Sequence, residues 1–221
     1  MIPVTALVVA KAPIPGLAKT RLAATLGDTM AADIAAAALL DTLDAVAETA
    51  FAAKVVAMTG DLALAAQSDA IREQLSEFIV IEQRGDTFAD RLANAHADAA
   101  AAAGPMPVLQ IGMDTPQVTS ELLARSARAL LDAHAVLGPA SDGGWWLLGV
   151  ADGGTAECLR GVPMSHPDTG AITYAALLRT GSPVRVLEEL PDVDTIADID
   201  GVRAACRNSS RFARATAGVE C

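Results

Sequence analysis

From Thr5 to Ala10 the chain is continuously apolar, with no polar residue alternating in. A strand of that kind is covered on both faces, which predicts a parallel-rich sheet sandwiched between helices rather than a half-solvated antiparallel one. The run leads into Lys11-Ala-Pro-Ile-Pro-Gly-Leu-Ala-Lys19-Thr-Arg-Leu22. Pro13 and Pro15 fix φ and disfavour helix, so this turn is stiff and open, and Gly16 lets the backbone come close to a ligand. A helix is expected to begin at Lys19-Thr20-Arg21, where free N–H groups gather. Strand, turn, helix start and the cations Lys11, Lys19 and Arg21 together predict an anion site, most simply one for phosphate. Neither a Walker A loop nor a dinucleotide fingerprint is present.

Strand and helix patterns then alternate. Helical patterns cover Lys19–Leu26, Ala31–Ala50 (Asp28 its cap), Leu62–Leu75, Thr87–Ala103, Thr119–Leu131, Asp168–Leu178 and a stretch from Thr195 to about Ala205. Strand patterns cover Lys54–Met58, Phe78–Glu82, Pro107–Ile111, Ala135–Gly138, Trp145–Val150 and Val184–Leu187. The alternation predicts a three-layer α/β/α sandwich with a mostly parallel sheet, made mixed by a hairpin around Asp142-Gly143-Gly144. Asp41, Asp44 and Glu48 fall at helical spacing and read as a solvated face. Residues 1–206 read as one domain; residues 207–221 carry no signal and read as a tail without fixed structure.

Composition decides the partner class. Asp plus Glu number 27 against 16 Lys plus Arg, a net charge of −11, which argues against nucleic acid and makes the cations at residues 11 to 21 more informative. Aromatic residues are 3% of the chain, so the core must be aliphatic and alanine-rich. Cys158, Cys206 and Cys221 show no CxxC spacing and read as unpaired thiols in a reducing compartment. No apolar stretch is long enough to span a membrane and no signal peptide is visible, so a cytoplasmic location is expected.

In sheets of the expected type, ligands bind beyond the carboxyl ends of strands. Lys11, Asp114 and Asp142 each follow a predicted strand. Asp114 suits Mg²⁺ or Mn²⁺, which take one or two carboxylates plus phosphate oxygens. Asp192 and Asp194 form a second carboxylate pair, with Asp194 either a metal ligand or the cap of the following helix. Gly143, Gly144 and Trp145 read as the walls of an acceptor pocket beside Asp142. Behind Gly85, Arg91 sits one turn into its helix, where it reaches an acceptor or a base. Lys19, Asp114 and Asp142 are the catalytic candidates. Lys11, Pro13, Gly16, Lys19, Thr20, Arg21, Gly85 and Arg91 are the nucleotide-binding ones. His96, His134 and His166 show no triad or metal spacing, and no GxSxG is present.

The segments KAPIPGLAKTRL, IGMDTPQVTSELL, LGPASDGGWWLLGV and DVDTIADI, in this order across residues 11 to 199, resemble the DUF2064 family of bacterial transferases. That family looks like a branch of the GT-A-type nucleotide-diphospho-sugar transferases and is similar to the 2-phospholactate guanylyltransferases, whose first loop carries an AK[ST]RL stretch. The resemblance implies a nucleotide on the first loop and a divalent metal near Asp114, with Asp194 as second ligand. The chain departs from the sugar nucleotidyltransferases in lacking a Gly-Gly first turn, and from many glycosyltransferases in having no DxD at Asp114. The activity implied is a metal-dependent transfer from an NTP or NDP-sugar to a small-molecule acceptor, nucleotidyl transfer slightly ahead of glycosyl transfer. A nucleotide-binding regulatory domain without turnover is the third reading.

Overall fold

The computed structural model describes residues 1–181 and 183–219. The chain runs β1 (Ile2–Lys11), α1 (Thr20–Leu26), α2 (Asp28–Glu48), β2 (Phe51–Thr59), α3 (Ser68–Leu75), β3 (Ile79–Glu82), α4 (Phe88–Ala103), β4 (Val108–Ile111), α5 (Ser120–Asp132), β5 (Ala135–Pro139), β6 (Trp145–Val150), α6 (Thr169–Arg179), β7 (Val184–Val186), α7 (Ile196–Ala205) and α8 (Arg211–Ala215). Short 3₁₀ segments stand at Leu62–Leu64 and Gly153–Gly161.

One seven-stranded sheet has the order β3-β2-β1-β4-β6-β5-β7. Every neighbouring pair is parallel except those of β6, which runs antiparallel to both β4 and β5. The hairpin expected around Asp142 is therefore the one reversal in an otherwise parallel sheet. It sends Ser141–Gly144 out on the same side as the ends of β1 and β4.

Strand β1 carries the core on both faces, as its apolar run demands. Val4, Ala6, Val8 and Ala10 join Leu39 and Leu43 of α2 and Leu123 of α5 on one side. Leu7 and Val9 join Leu92 and Ala95 of α4 and Leu159 on the other. Alanines at positions 31, 32 and 35 to 38 are all buried, so α2 packs close to its neighbours with few aromatics to fill gaps. A third apolar cluster lies off the sheet: Leu22 of α1 and Ile34 of α2 meet Val193, Ile199 and Val202, Phe212 and Val219.

Four expectations are corrected. Asp28 does not cap α2; it lies in the first turn, and Gly27 is the N-cap residue. The pattern Leu62–Leu75 is not one helix, because Gln67 takes a left-handed conformation (φ 53) that separates the 3₁₀ turn from α3. The residues from 207 to 219 are not a loose tail. Phe212 of α8 is fully buried, and the carboxylate of Asp41 accepts hydrogen bonds from Ser210 Oγ (2.7 Å), the Arg211 N–H (2.9 Å) and the Phe212 N–H (2.9 Å). Arg211 pairs with Asp44, and Arg207 with Glu48 at 3.4 Å. The acidic face of α2 is thus occupied by the C-terminal segment at Asp41 and Asp44, while Glu48 stays exposed. Cys158 and Cys206 are free thiols, burial pushing Cys206 up to about 11; Cys221 lies outside the described residues.

Candidate active site

A cleft of about 710 Å³ opens beyond the carboxyl ends of β1, β4 and β5. Its lining includes Lys11, Lys19, Thr20, Arg21, Arg91, Asp114, Asp142, Gly144 and Trp145, so these cations and carboxylates line one cleft. Pro13, Gly16, Gly85 and Gly143 stand outside the lining and shape the loops behind it.

The first loop presents Lys19 by an unusual backbone. Lys19 precedes α1 in the left-handed region (φ 47, ψ 51), uncommon for a residue with a Cβ. Its side chain is only 13% exposed. The ammonium donates to Asp114 Oδ2 at 2.9 Å and to the carbonyl of Val193. Burial alone would depress its pKa. The Asp114 carboxylate, with Asp194 and Asp192 behind it, reverses that and holds Lys19 above its ordinary value. Arg21 is exposed and pairs with Asp194 across the mouth of the cleft. Lys11 Nζ donates to the Leu17 carbonyl at 2.8 Å, closing the loop on itself.

Asp114 is carried by the turn after β4, and the carbonyl of Asp114 accepts from Val193 N–H at 3.3 Å, so the two carboxylate loops are tied together. Asp194 does not cap α7. That role falls to Thr195 and Asp198, whose carboxylate accepts from the Thr195 N–H (2.6 Å) and hydroxyl (2.9 Å). The Asp194 side chain is left facing Arg21.

Asp192, which the sequence offered only as the partner of Asp194, lines the cleft as well. Burial, then the charges of Asp142 and Asp114, push it up to about 6, against the pull of Lys19. Its only signal in the sequence was its place in the Asp192-Val-Asp194 pair. Gln83 and His166 were missed. Both line the cleft, the first after β3 and the second on the loop before α6.

The wall around Asp142 and Trp145 is built by close packing. Asp142 Oδ1 accepts from the Gly144 N–H at 2.7 Å, an Asx turn. Gly143 has φ 90, and a Cβ there would lie 1.8 Å from the Pro167 carbonyl oxygen, so only glycine fits. The Gly170 N–H donates to Gly143 O at 2.8 Å, locking the hairpin turn to the loop that carries His166. On the opposite wall, Gly85 (φ 136) bends the chain over the start of α4, where Thr87 and Asp90 form a capping box.

A seven-stranded, mostly parallel sheet covered by helices on both faces is the fold this chain shares with solved nucleotide-diphospho-sugar transferase folds. A provisionally named nucleotide-diphospho-sugar transferase from Desulfovibrio desulfuricans G20 superposes with a TM-score of 0.83 at 24% identity, over 99% of this chain and 97% of that one. Rv0371c of Mycobacterium tuberculosis H37Rv, solved in complex with manganese, matches with a TM-score of 0.54 at 20% identity, over 90% and 97%. A CMP:2-keto-3-deoxy-manno-octonic acid synthetase complexed with CTP matches at 0.53 and 14%, over 91% and 97%. Among the curated proteins none matches. The chain belongs to the DUF2064 family, described as an uncharacterized protein conserved in bacteria, whose model matches residues 42–166.

Proposed function

We propose that this protein is a divalent-metal-dependent transferase that takes a nucleotide donor in the cleft and passes part of it to a small acceptor. One observation carries the reading: Lys19 and Arg21 of the first loop sit directly against Asp114, beyond the end of β4, and Asp194, just before α7. Opposed charges meeting at a cleft are what a metal-bound polyphosphate needs on its two sides.

The carboxylates suit the metal in part. Among the described residues no three His, Cys, Asp or Glu side chains form a ready-made metal site. Asp114, Asp142 and Asp192 nevertheless line the same cleft, where burial, and after it the charges of Asp142 and Asp114, raise the Asp192 pKa. An all-oxygen donor set of one or two carboxylates suits Mg²⁺ or Mn²⁺ that arrives with phosphate oxygens. Asp114 would hold it, with Asp192 or Asp194. When bound, such an ion draws charge from the transferring phosphoryl oxygens.

The chain's own groups do the rest by positioning and charge. Lys19, buried and kept protonated, balances the phosphates at the base of the cleft. Arg21 reaches them from the mouth, where its exposure leaves it free to turn. Asp142, held by its Asx turn, faces the acceptor and orients its nucleophilic group beside Trp145. Three cations on one loop suit a triphosphate, which favours nucleotidyl transfer. Glycosyl transfer is the second reading, favoured by Trp145, a flat platform for a sugar ring at the acceptor wall.

A thermal-shift screen of nucleoside triphosphates and nucleotide-sugars, each with and without Mg²⁺, tests the reading. Saturating the cleft at a hundred times Kd stabilises the fold by about 2.7 kcal/mol. Stabilisation is expected only when nucleotide and metal are both present. No stabilisation by any nucleotide would overturn it.

A further inference from the structure

Gln83 lies on the cleft wall opposite Trp145, immediately after β3. Its side chain reaches back across the sheet. Nε2 donates to the carbonyl of Ala10 at 2.8 Å and to that of Ala57 at 2.9 Å, at the ends of β1 and β2. Two carbonyl oxygens leave no choice of amide orientation: the nitrogen faces the sheet and both its hydrogens are spent there. Oε1 therefore points away from them, a fixed acceptor to which no donor comes among the described residues. Around it the cleft is lined by Leu92, Phe88 and Arg91, apolar walls with one cation, and the Arg91 Nε donates to Gly85 O at 3.3 Å.

Resting on the nucleotide reading of this cleft, we infer that Gln83 Oε1 accepts a hydrogen bond from an exocyclic amine of the nucleobase. The site thereby selects cytosine, adenine or guanine nucleotides against uracil and thymine. The argument is one of matching groups. Uracil and thymine present their one edge N–H between two carbonyl oxygens. An amide reads that edge by setting its acceptor and donor side by side. In Gln83 the donor half is bound to the sheet, so a flanking base carbonyl would lie unpaired against Oε1, at a desolvation cost. An amine projects beyond the ring and meets the lone acceptor without that conflict. Arg91 then faces the accepting ring nitrogen beside the amine, which is N3 in cytosine, N1 or N7 in adenine and N3 in guanine. Sites that pair a specific N–H discriminate far more strongly than sites that merely fit a shape.

Calorimetric titration of the wild-type protein in MgCl₂ tests this directly, using CTP, ATP, GTP and UTP and the matching diphosphates. At least one amine-bearing nucleotide is expected to bind about tenfold or more tighter than its uracil counterpart. Its amine-free analogue, drawn from pyrimidin-2-one, purine or inosine ribonucleoside triphosphate, is expected to lose the same factor. Gln83→Leu should weaken the preferred nucleotide and bind UTP no worse than the wild type does, so that the two converge. If that variant fails to fold, the analogue comparison on the wild type decides alone. UTP binding as tightly as the best ligand, or an analogue binding undiminished, overturns the inference and leaves the nucleotide reading standing. Absence of binding by every nucleotide overturns both.

Discussion

At the scale of single residues, the cleft is held by charges that are already partnered. Lys19 stands in a strained backbone conformation and is fastened to Asp114 and the Val193 carbonyl. Lys19→Ala is expected to weaken nucleotide binding by tenfold or more, about 1.4 kcal/mol. Calorimetry giving an unchanged Kd on a folded variant would remove Lys19 from the phosphate site. Asp114→Asn keeps the shape of the side chain and should spare the fold while abolishing metal-dependent nucleotide binding. Equal nucleotide affinity with and without Mg²⁺ in wild type and variant alike would exclude that role. Away from the cleft, His96 is fully buried on α4, with neither ring nitrogen hydrogen-bonded among the described residues. Burial lowers its pKa from 6.5 to about 4, against a weak pull from Gln110. Between those two values the unfolded chain takes up a proton that the folded chain refuses, so stability falls as pH falls through this window. The loss should reach about 3 kcal/mol by pH 4, and denaturant titrations of His96→Gln should show a shallower decline. Parallel slopes for variant and wild type would show that His96 takes no part in the acid response.

At the scale of elements, the strands and long helices were legible because their periods are local: β6 falls on Trp145–Val150 as expected, and β4 begins one residue late. What could not be read was non-local. Helix α8 has five residues, too few for a periodic signal, and it is held by Asp41, about 170 positions earlier in the chain. That same contact hid the role of the Asp41-Asp44-Glu48 face. Phe212→Ala should therefore cost about 3 kcal/mol or more in chemical denaturation, as for any fully buried aromatic, whereas a loose tail would cost nothing. The site divides in the same way. Lys11, Asp114 and Asp142 were legible as residues that follow strands, and Lys19 as the start of a helix. Asp192 and Gln83 matter through neighbours on other strands, which no local pattern shows. The hairpin turn offers a paired test. Gly143→Ala meets the Pro167 backbone and should prevent the turn from forming, seen as a large loss of melting temperature. Gly144→Ala meets only the Asp142 carboxylate at 3.0 Å, and should keep nucleotide binding while lowering turnover.

At the scale of the whole molecule, the sheet supplies a rigid floor, and the site is closed over it by segments from opposite ends of the sequence. Among the described residues no helix is long and apolar enough to cross a membrane. The third apolar cluster, which joins Leu22 and Ile34 to Val193, Ile199 and Phe212, has a bearing on when the protein becomes competent. Chains are synthesised from the N-terminus, and domains begin to fold as they emerge. The first loop and α2 are made well before their partners, which stand at positions 193 to 219. A nascent chain that has reached only the earlier positions therefore carries Lys19 with no Asp192 or Asp194 to answer it, and Leu22 and Ile34 open to water. The cleft is complete only once that segment has been made. A message broken before that point yields a protein that has its sheet but no finished cleft, and that displays an apolar face for quality control to seize.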